Sequence, residues 1–214
     1  LGYAALAATT TGAANTAVGS EALDANTTGA SNVAMGTSAL GANTTASNNT
    51  AVGRSALGAN TTGTRNTAMG AYSLDGTDAN DNTAYGYATL SGASGSENSA
   101  FGGSALVGNT GSDNSAFGYA SLLGNTSGSN NSAFGHSSLF SSTTGNSNSA
   151  FGLNALYANT TGGANTAVGQ SALGANTTAS NNTAVGYNSM VANTTGALNA
   201  AVGYLSLDAN TTGN

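Results

Sequence analysis

The chain has no cysteine, no proline, no tryptophan and no lysine; its only two basic residues are Arg54 and Arg65. Without cysteine, nothing in its stability depends on disulfides. Without lysine, two arginines make no phosphate-neutralising surface, so a nucleic-acid partner is not expected. A basic membrane-binding face is missing for the same reason. Charged residues make up 5% of the chain, against about 25% in an ordinary soluble domain. The net charge of −6 is spread thinly over 214 residues. Apolar residues reach 39% but are mostly alanine, and burial stabilises in proportion to apolar area, so a compact globular core is not expected. No apolar run approaches the ~18 residues that cross a bilayer. Catalysis has little to work with. His136 is the only histidine, the two glutamates Glu21 and Glu97 lie far apart in sequence, and no thiol or amine side chain can serve as nucleophile or base. The chain reads as a non-enzyme without a cofactor.

What is present is a repeat, and it decides the architecture. Glycines at 2, 19, 36, 53, 70, 86, 102, 118, 135, 152, 169, 186 and 203 mark successive copies, nine of 17 residues and three of 16. No linker interrupts residues 1–214, which read as one continuous array of about 12 coils. The chain starts and stops inside a copy, which reads as a segment of a longer polypeptide. Four residues before each marker glycine stands asparagine: Asn15, Asn32, Asn49, Asn66, Asn82, Asn98, Asn114, Asn131, Asn148, Asn165, Asn182 and Asn199. Two before it stands alanine, from Ala17 to Ala201. Four after it stands leucine, from Leu6 to Leu207, with Met190 the exception. The remainder is usually Ala-Asn-Thr-Thr-Gly.

These columns predict two short strands and two turns per copy. Asn-Thr-Ala-Val-Gly alternates with period two, and Ser-Ala-Leu reads as a second brief extended piece. Ala-Asn-Thr-Thr-Gly carries the residues that tight turns need. A helix is excluded, since Gly, Asn, Thr and Ser would weaken it throughout. A covariation supports the first strand. Where Phe101, Phe117, Phe134 or Phe151 precedes the marker glycine, the residue two positions earlier is Ser99, Ser115, Ser132 or Ser149. Residues two apart share a strand face, and a larger side chain there meets a smaller neighbour. The same four copies turn apolar after the leucine column, at Val107, Leu123, Phe140 and Tyr157. This predicts either a fatter apolar interior or an apolar stripe.

Identical columns stack directly in a parallel β-solenoid. Twelve rises of ~4.8 Å would make the segment roughly 58 Å long. Leu, Val and Phe ladders are expected to fill the interior, and the asparagine column to ladder its amides from coil to coil. So thin a core predicts lateral association of several chains, three by volume.

The motif Asn-Thr-Ala-Val-Gly-x-x-Ala-Leu, at Asn15 to Leu23, Asn165 to Leu173 and Asn49 to Leu57, resembles the head repeats of trimeric autotransporter adhesins (the YadA-like head). It is also similar to repeat shafts of phage tail-fibre proteins. The resemblance covers the whole chain and implies a left-handed β-roll, three chains about one axis, and an adhesive or receptor-binding fibre on a cell surface or virion. The coil here is longer than in those heads.

Other positions are candidate sites. Asn-x-Ser/Thr acceptors for glycans occur at Asn26, Asn43, Asn48, Asn60, Asn125, Asn130, Asn159, Asn176, Asn181, Asn193 and Asn210, where turn chemistry explains most of them equally. Threonine rows could form an ice- or polysaccharide-binding lattice. Asp75, Asp78 and Asp81 crowd one loop as candidate cation ligands, with a solvated turn as the plainer reading. Tyr3, Tyr87, Tyr119, Tyr187 and Tyr204 each follow a marker glycine and could stack on sugars or partners. The expectation is a non-catalytic extracellular fibre segment, structural and adhesive, partnered by copies of itself and by a receptor or glycan, with no membrane contact. The alternatives are a glycan-coated self-assembling fibril and an ice- or polysaccharide-binding solenoid.

Overall fold

The computed structural model describes residues 1–76 and 78–213. They are all-β, with no helix among the described residues and hence none long and apolar enough to cross a membrane. The chain divides into two compact units, Leu1–Gly108 and Asn109–Asn214. The first holds β1 (Thr16–Val18), β2 (Val33–Met35), β3 (Thr50–Val52), β4 (Thr67–Met69), β5 (Thr83–Tyr85) and β6 (Ser99–Phe101). The second holds β7 (Ser115–Phe117), β8 (Ser132–Phe134), β9 (Ser149–Phe151), β10 (Thr166–Val168), β11 (Thr183–Val185) and β12 (Ala200–Val202). Within each unit the strands pair in parallel in chain order, one repeat apart: Ala51 faces Ala68 in the first, Ala167 faces Ala184 in the second. Each unit is a parallel β-solenoid of 16–17-residue coils, as the repeat predicts.

Each strand is three residues long because the backbone turns hard at both ends. Before β10, Ala164 has φ 55°; after it, Gly169 has φ 128°. Ser171 and Leu173 follow, with φ 55° and 51°. These left-handed conformations, each costing a non-glycine residue about 1–2 kcal/mol, recur in every coil. Hydrogen bonds to adjacent coils offset them. Ser171 N–H donates to Leu153 C=O at 2.9 Å, and Leu173 N–H to Ser189 C=O at 3.0 Å. This corrects the expectation of a second strand: Ser-Ala-Leu is a turn, whose alternating backbone still ladders between coils.

The interior is also different from the expected one. The buried apolar side chains are the leucine column and alanines, among them Ala167, Ala172 and Leu173. Val, Met, Tyr and Phe before the marker glycine lie on the outer face of the strands, with Thr or Ser two positions earlier except at Val33 and Ala200. Period two requires this once alanine is the inward residue. The coil is too thin for a second large side chain, so only alanine fits between the strand and the opposite wall. Phe134 and its column mates form a surface stripe and do not widen the core.

Candidate functional site

Two asparagine columns form ladders within each unit. In the column starting at Asn15, side-chain oxygens within each unit accept the backbone N–H of the asparagine one coil on, as Asn165 Oδ1 does from Asn182 at 3.0 Å. Its Nδ2 donates to a turn carbonyl, Ala179 C=O at 2.9 Å. The ladder is therefore mainly side chain to backbone. Amide-to-amide bonds, which the first column makes at Asn148 and Asn165, run along the acceptor column: Asn43 Nδ2 to Asn26 Oδ1 at 2.9 Å, Asn176 Nδ2 to Asn159 Oδ1 at 2.9 Å. Both columns converge on the same carbonyls. Ala179 C=O accepts Asn165 Nδ2 and Asn176 Nδ2, and Gly29 C=O accepts Asn15 and Asn26.

This placement corrects the glycan reading for seven acceptors. Asn26, Asn43, Asn60, Asn125, Asn159, Asn176 and Asn193 are buried, and the Nδ2 that a glycan would join is hydrogen-bonded inside the coil. Asn210 is half-buried and bonded to Asn193 and Gly213. Asn48, Asn130 and Asn181 are exposed, in left-handed backbone two residues before a strand. The second ladder is less strict in sequence than the first, since Thr9, Ala93 and Ser142 stand in its column where asparagine stands in most other copies.

One gap in the ladder gives a test. Ser142 occupies the column between Asn125 and Asn159, and both Asn125 Oδ1 and Ser142 Oγ are buried without a hydrogen-bond partner. Ser142→Asn places Nδ2 to serve Asn125 Oδ1 and Gly145 C=O, and Oδ1 to accept from Asn159. Satisfying buried groups contributes about 1 kcal/mol each way. The variant is expected to melt a few degrees higher, at about 2–4 °C per kcal/mol, by differential scanning calorimetry.

The three aspartates of the acidic loop are not gathered. Asp75 Oδ1 accepts from Ser91 Oγ at 2.7 Å. Asp81 pairs through both oxygens with Arg65, at 2.6 and 2.7 Å, and that hydrogen-bonded guanidinium holds its carboxyl below its ordinary value. Asp78 accepts from Thr61 N–H, Thr62 N–H and Thr61 Oγ1 at 2.6 to 2.7 Å. Elsewhere these two N–H groups bond to a threonine carbonyl of the next coil, as Thr27 and Thr28 do to Thr44. In the shorter 16-residue interval from Gly70 to Gly86, the Asp78 carboxylate takes that carbonyl's place. No group of three acids or histidines able to hold a metal occurs among the described residues.

Burial alone would raise the Asp78 pKa, but its hydrogen bonds to Thr61 and Thr62 outweigh that and hold it at about 2, from 3.8 ordinarily. The folded value is depressed, so the contribution is present above about pH 4 and lost as pH falls through 2. Acid melts between pH 5 and 2 should show a slope that Asp78→Asn lacks. Because Asp78 is exposed, the effect is small and shrinks with salt.

On the surface, the outward strand column supplies stacked rings: Tyr85 on Phe101 at 4.8 Å in the first unit, Phe117 on Phe134 at 4.6 Å and Phe134 on Phe151 at 5.0 Å in the second. The chain matches no protein-family model, no curated protein and no solved structure. Its function is therefore read from this surface. The turn threonines do not present a free lattice: Thr160 Oγ1 donates to Thr177 C=O at 3.0 Å, and Thr177 Oγ1 to Thr194 C=O at 3.2 Å, along the ladder. The tyrosines after the marker glycines are exposed, from 43% at Tyr187 to 80% at Tyr3. Tyr187 stacks on Tyr204 at 5.4 Å, and Tyr119 on His136 at 5.4 Å. Val18, Met35, Phe151 and Val168 are each 38–44% exposed. An apolar row of this kind, flanked by hydroxyls and nearly free of charge, is a surface suited to association.

Proposed function

We propose that this chain is a non-catalytic structural segment of an extracellular adhesive fibre, in which three copies associate through their outward strand faces. The observation that carries this reading is the outward Val/Met/Phe column. It repeats at every coil, stays partly exposed in a single chain, and lies on a face with hydroxyl neighbours that impose no charge penalty on contact. Large exposed apolar patches on soluble proteins mark interaction sites. A partner with the same repeat would match this row coil for coil, since identical columns share one spacing. The interior supports the same conclusion. One leucine per coil is little apolar burial for the backbone ordered, and covering the outer column adds to it.

Sedimentation equilibrium of the native chain should give three times the monomer mass. Phe134→Glu with Val185→Glu should release monomers whose far-UV spectrum is unchanged. A native chain that stays monomeric at all concentrations, or a charged variant that stays assembled, would sink the proposal. Extra mass localised to Asn48, Asn130 or Asn181 would instead favour a glycan-bearing scaffold.

A further inference from the structure

The column that follows leucine holds a gap one coil high in the second unit. Phe140 and Tyr157 occupy it in successive coils, their rings stacked at 5.1 Å and 7° from parallel. The next position is Gly174, and the one after is Val191. The Tyr157 ring thus has one face covered by Phe140 and the other toward a level without a side chain. The result is a groove of about 410 Å³ lined by Asn154, Tyr157, Ala158, Ser171, Gly174 and Val191.

The glycine is not there to satisfy the backbone. Gly174 has no left-handed φ, and a Cβ built on it would lie 3.1 Å from Ser171 C=O and 3.6 Å from Val191 Cγ2. A side chain at 174 needs only a small adjustment, so the open level reflects a side-chain choice. The rim is polar and uncharged. Among the described residues, the Asn154 amide and the Ser171 hydroxyl have no side-chain hydrogen-bond partner, so both are open to a ligand.

We propose that this groove binds one neutral pyranose, the unit of a free saccharide or of a glycan chain. A pyranose presents a flat C–H face that packs on an aromatic ring and an equatorial rim of hydroxyls that needs donors and acceptors. Tyr157 supplies the ring, Val191 bounds the far side, and Asn154 and Ser171 meet the rim. Pockets of about 300–1,000 Å³ with an apolar lining and a few placed polar groups are ordinary ligand sites. An anionic ligand is disfavoured, since no lining residue is basic and the chain carries −6. One chain forms the whole groove, so this inference is independent of the association proposed above.

The test is saturation-transfer NMR and calorimetric titration of the native chain with methyl pyranosides of glucose, galactose and N-acetylglucosamine, and with sialic acid as the charged control. Dissociation constants in the low-millimolar range are expected, roughly what a dozen heavy atoms support, with saturation strongest on one C–H face of the ring. Gly174→Phe, which fills the level and continues the stack, should weaken binding at least tenfold while the melting temperature is kept. Tyr157→Ala, which leaves the backbone untouched, should do the same. Absence of binding by the native chain, equal binding of sialic acid, or unchanged affinity in both variants overturns the assignment. So does a Gly174→Phe chain whose only change is loss of its oligomer, for the groove would then hold a second copy.

Discussion

Gly152→Ala is expected to unfold the coils around it, at a cost of about 4 kcal/mol or more, near the upper end for a single substitution. Two independent causes act at this position. Gly152 has φ 136°, a region in which an L side chain is strained, costing on the order of 1–3 kcal/mol. A Cβ there would also sit 2.6 Å from Gly169 C=O in the next coil. That atom is backbone, fixed by the parallel ladder, and can move only by parting the coils. The hydrogen bonds on either side, Gly152 N–H to Phe134 C=O and Gly169 N–H to Phe151 C=O, both 2.7 Å, would lengthen with it. A useful control is Gly41→Ala. Gly41 has no left-handed φ, and its nearest contact to an added Cβ is 3.3 Å, so a change within about 0.5 kcal/mol is expected. Urea titration followed by far-UV circular dichroism measures both. Equal stabilities for the two variants would contradict the tight coil stacking described here.

Asn165→Asp should be nearly as damaging at neutral pH and much less so in acid. The substitution replaces one nitrogen by oxygen and leaves the shape alone. Asn165 is fully buried, and its Nδ2 donates to Ala179 C=O and Asn148 Oδ1 at 2.9 and 3.1 Å. An aspartate would turn a second acceptor toward those acceptors, and must take up a proton to supply any donor. Its folded pKa therefore stands above its unfolded value near 3.9. A raised folded pKa gives stability that is full below the unfolded value and lost as pH rises through the folded one. A cost of about 4 kcal/mol at pH 7 is expected, in line with an uncompensated buried charge, and it should shrink toward pH 3. Thermal melts from pH 3 to 8 would test the sign. A variant whose stability does not fall as pH rises would show that the column is not the closed amide network seen here.

Both predictions rest on features that the sequence states directly. The strict glycine spacing dictated a solenoid, because columns recurring every 16–17 residues can only be satisfied by stacking like on like. Asparagine before every strand marked a buried ladder, since an amide recurring so strictly in an uncharged repeat has polar backbone groups to satisfy. Leucine in every coil marked the core. The serine that accompanies each phenylalanine marked a shared face. None of these inferences needed a partner chain or a known relative.

Which face is inward was a tertiary question. Alternation places Thr166 and Val168 together and Ala167 opposite them, but it is equally consistent with either side facing in. The tertiary structure chose alanine because the interior between strand and opposite wall admits one leucine per coil and little else. The acceptor asparagines were misread for a related reason. Ala-Asn-Thr-Thr-Gly has the composition of a surface turn, and nothing local reveals that Asn176 points inward to Asn159 and Ala179. That direction is set by the preceding coil, whose Asn159 amide oxygen accepts one bond, while the Ala179 carbonyl of the same turn accepts the other. The Ser-Ala-Leu segment likewise alternates as a strand would, while its left-handed residues are held by hydrogen bonds to coils on either side. Sequence by itself determined the repeat, the parallel stacking and the leucine column of the core, because these follow from periodicity. Only the tertiary structure decided facing, turn conformation and the open level at Gly174, because each depends on contacts between residues a full coil apart.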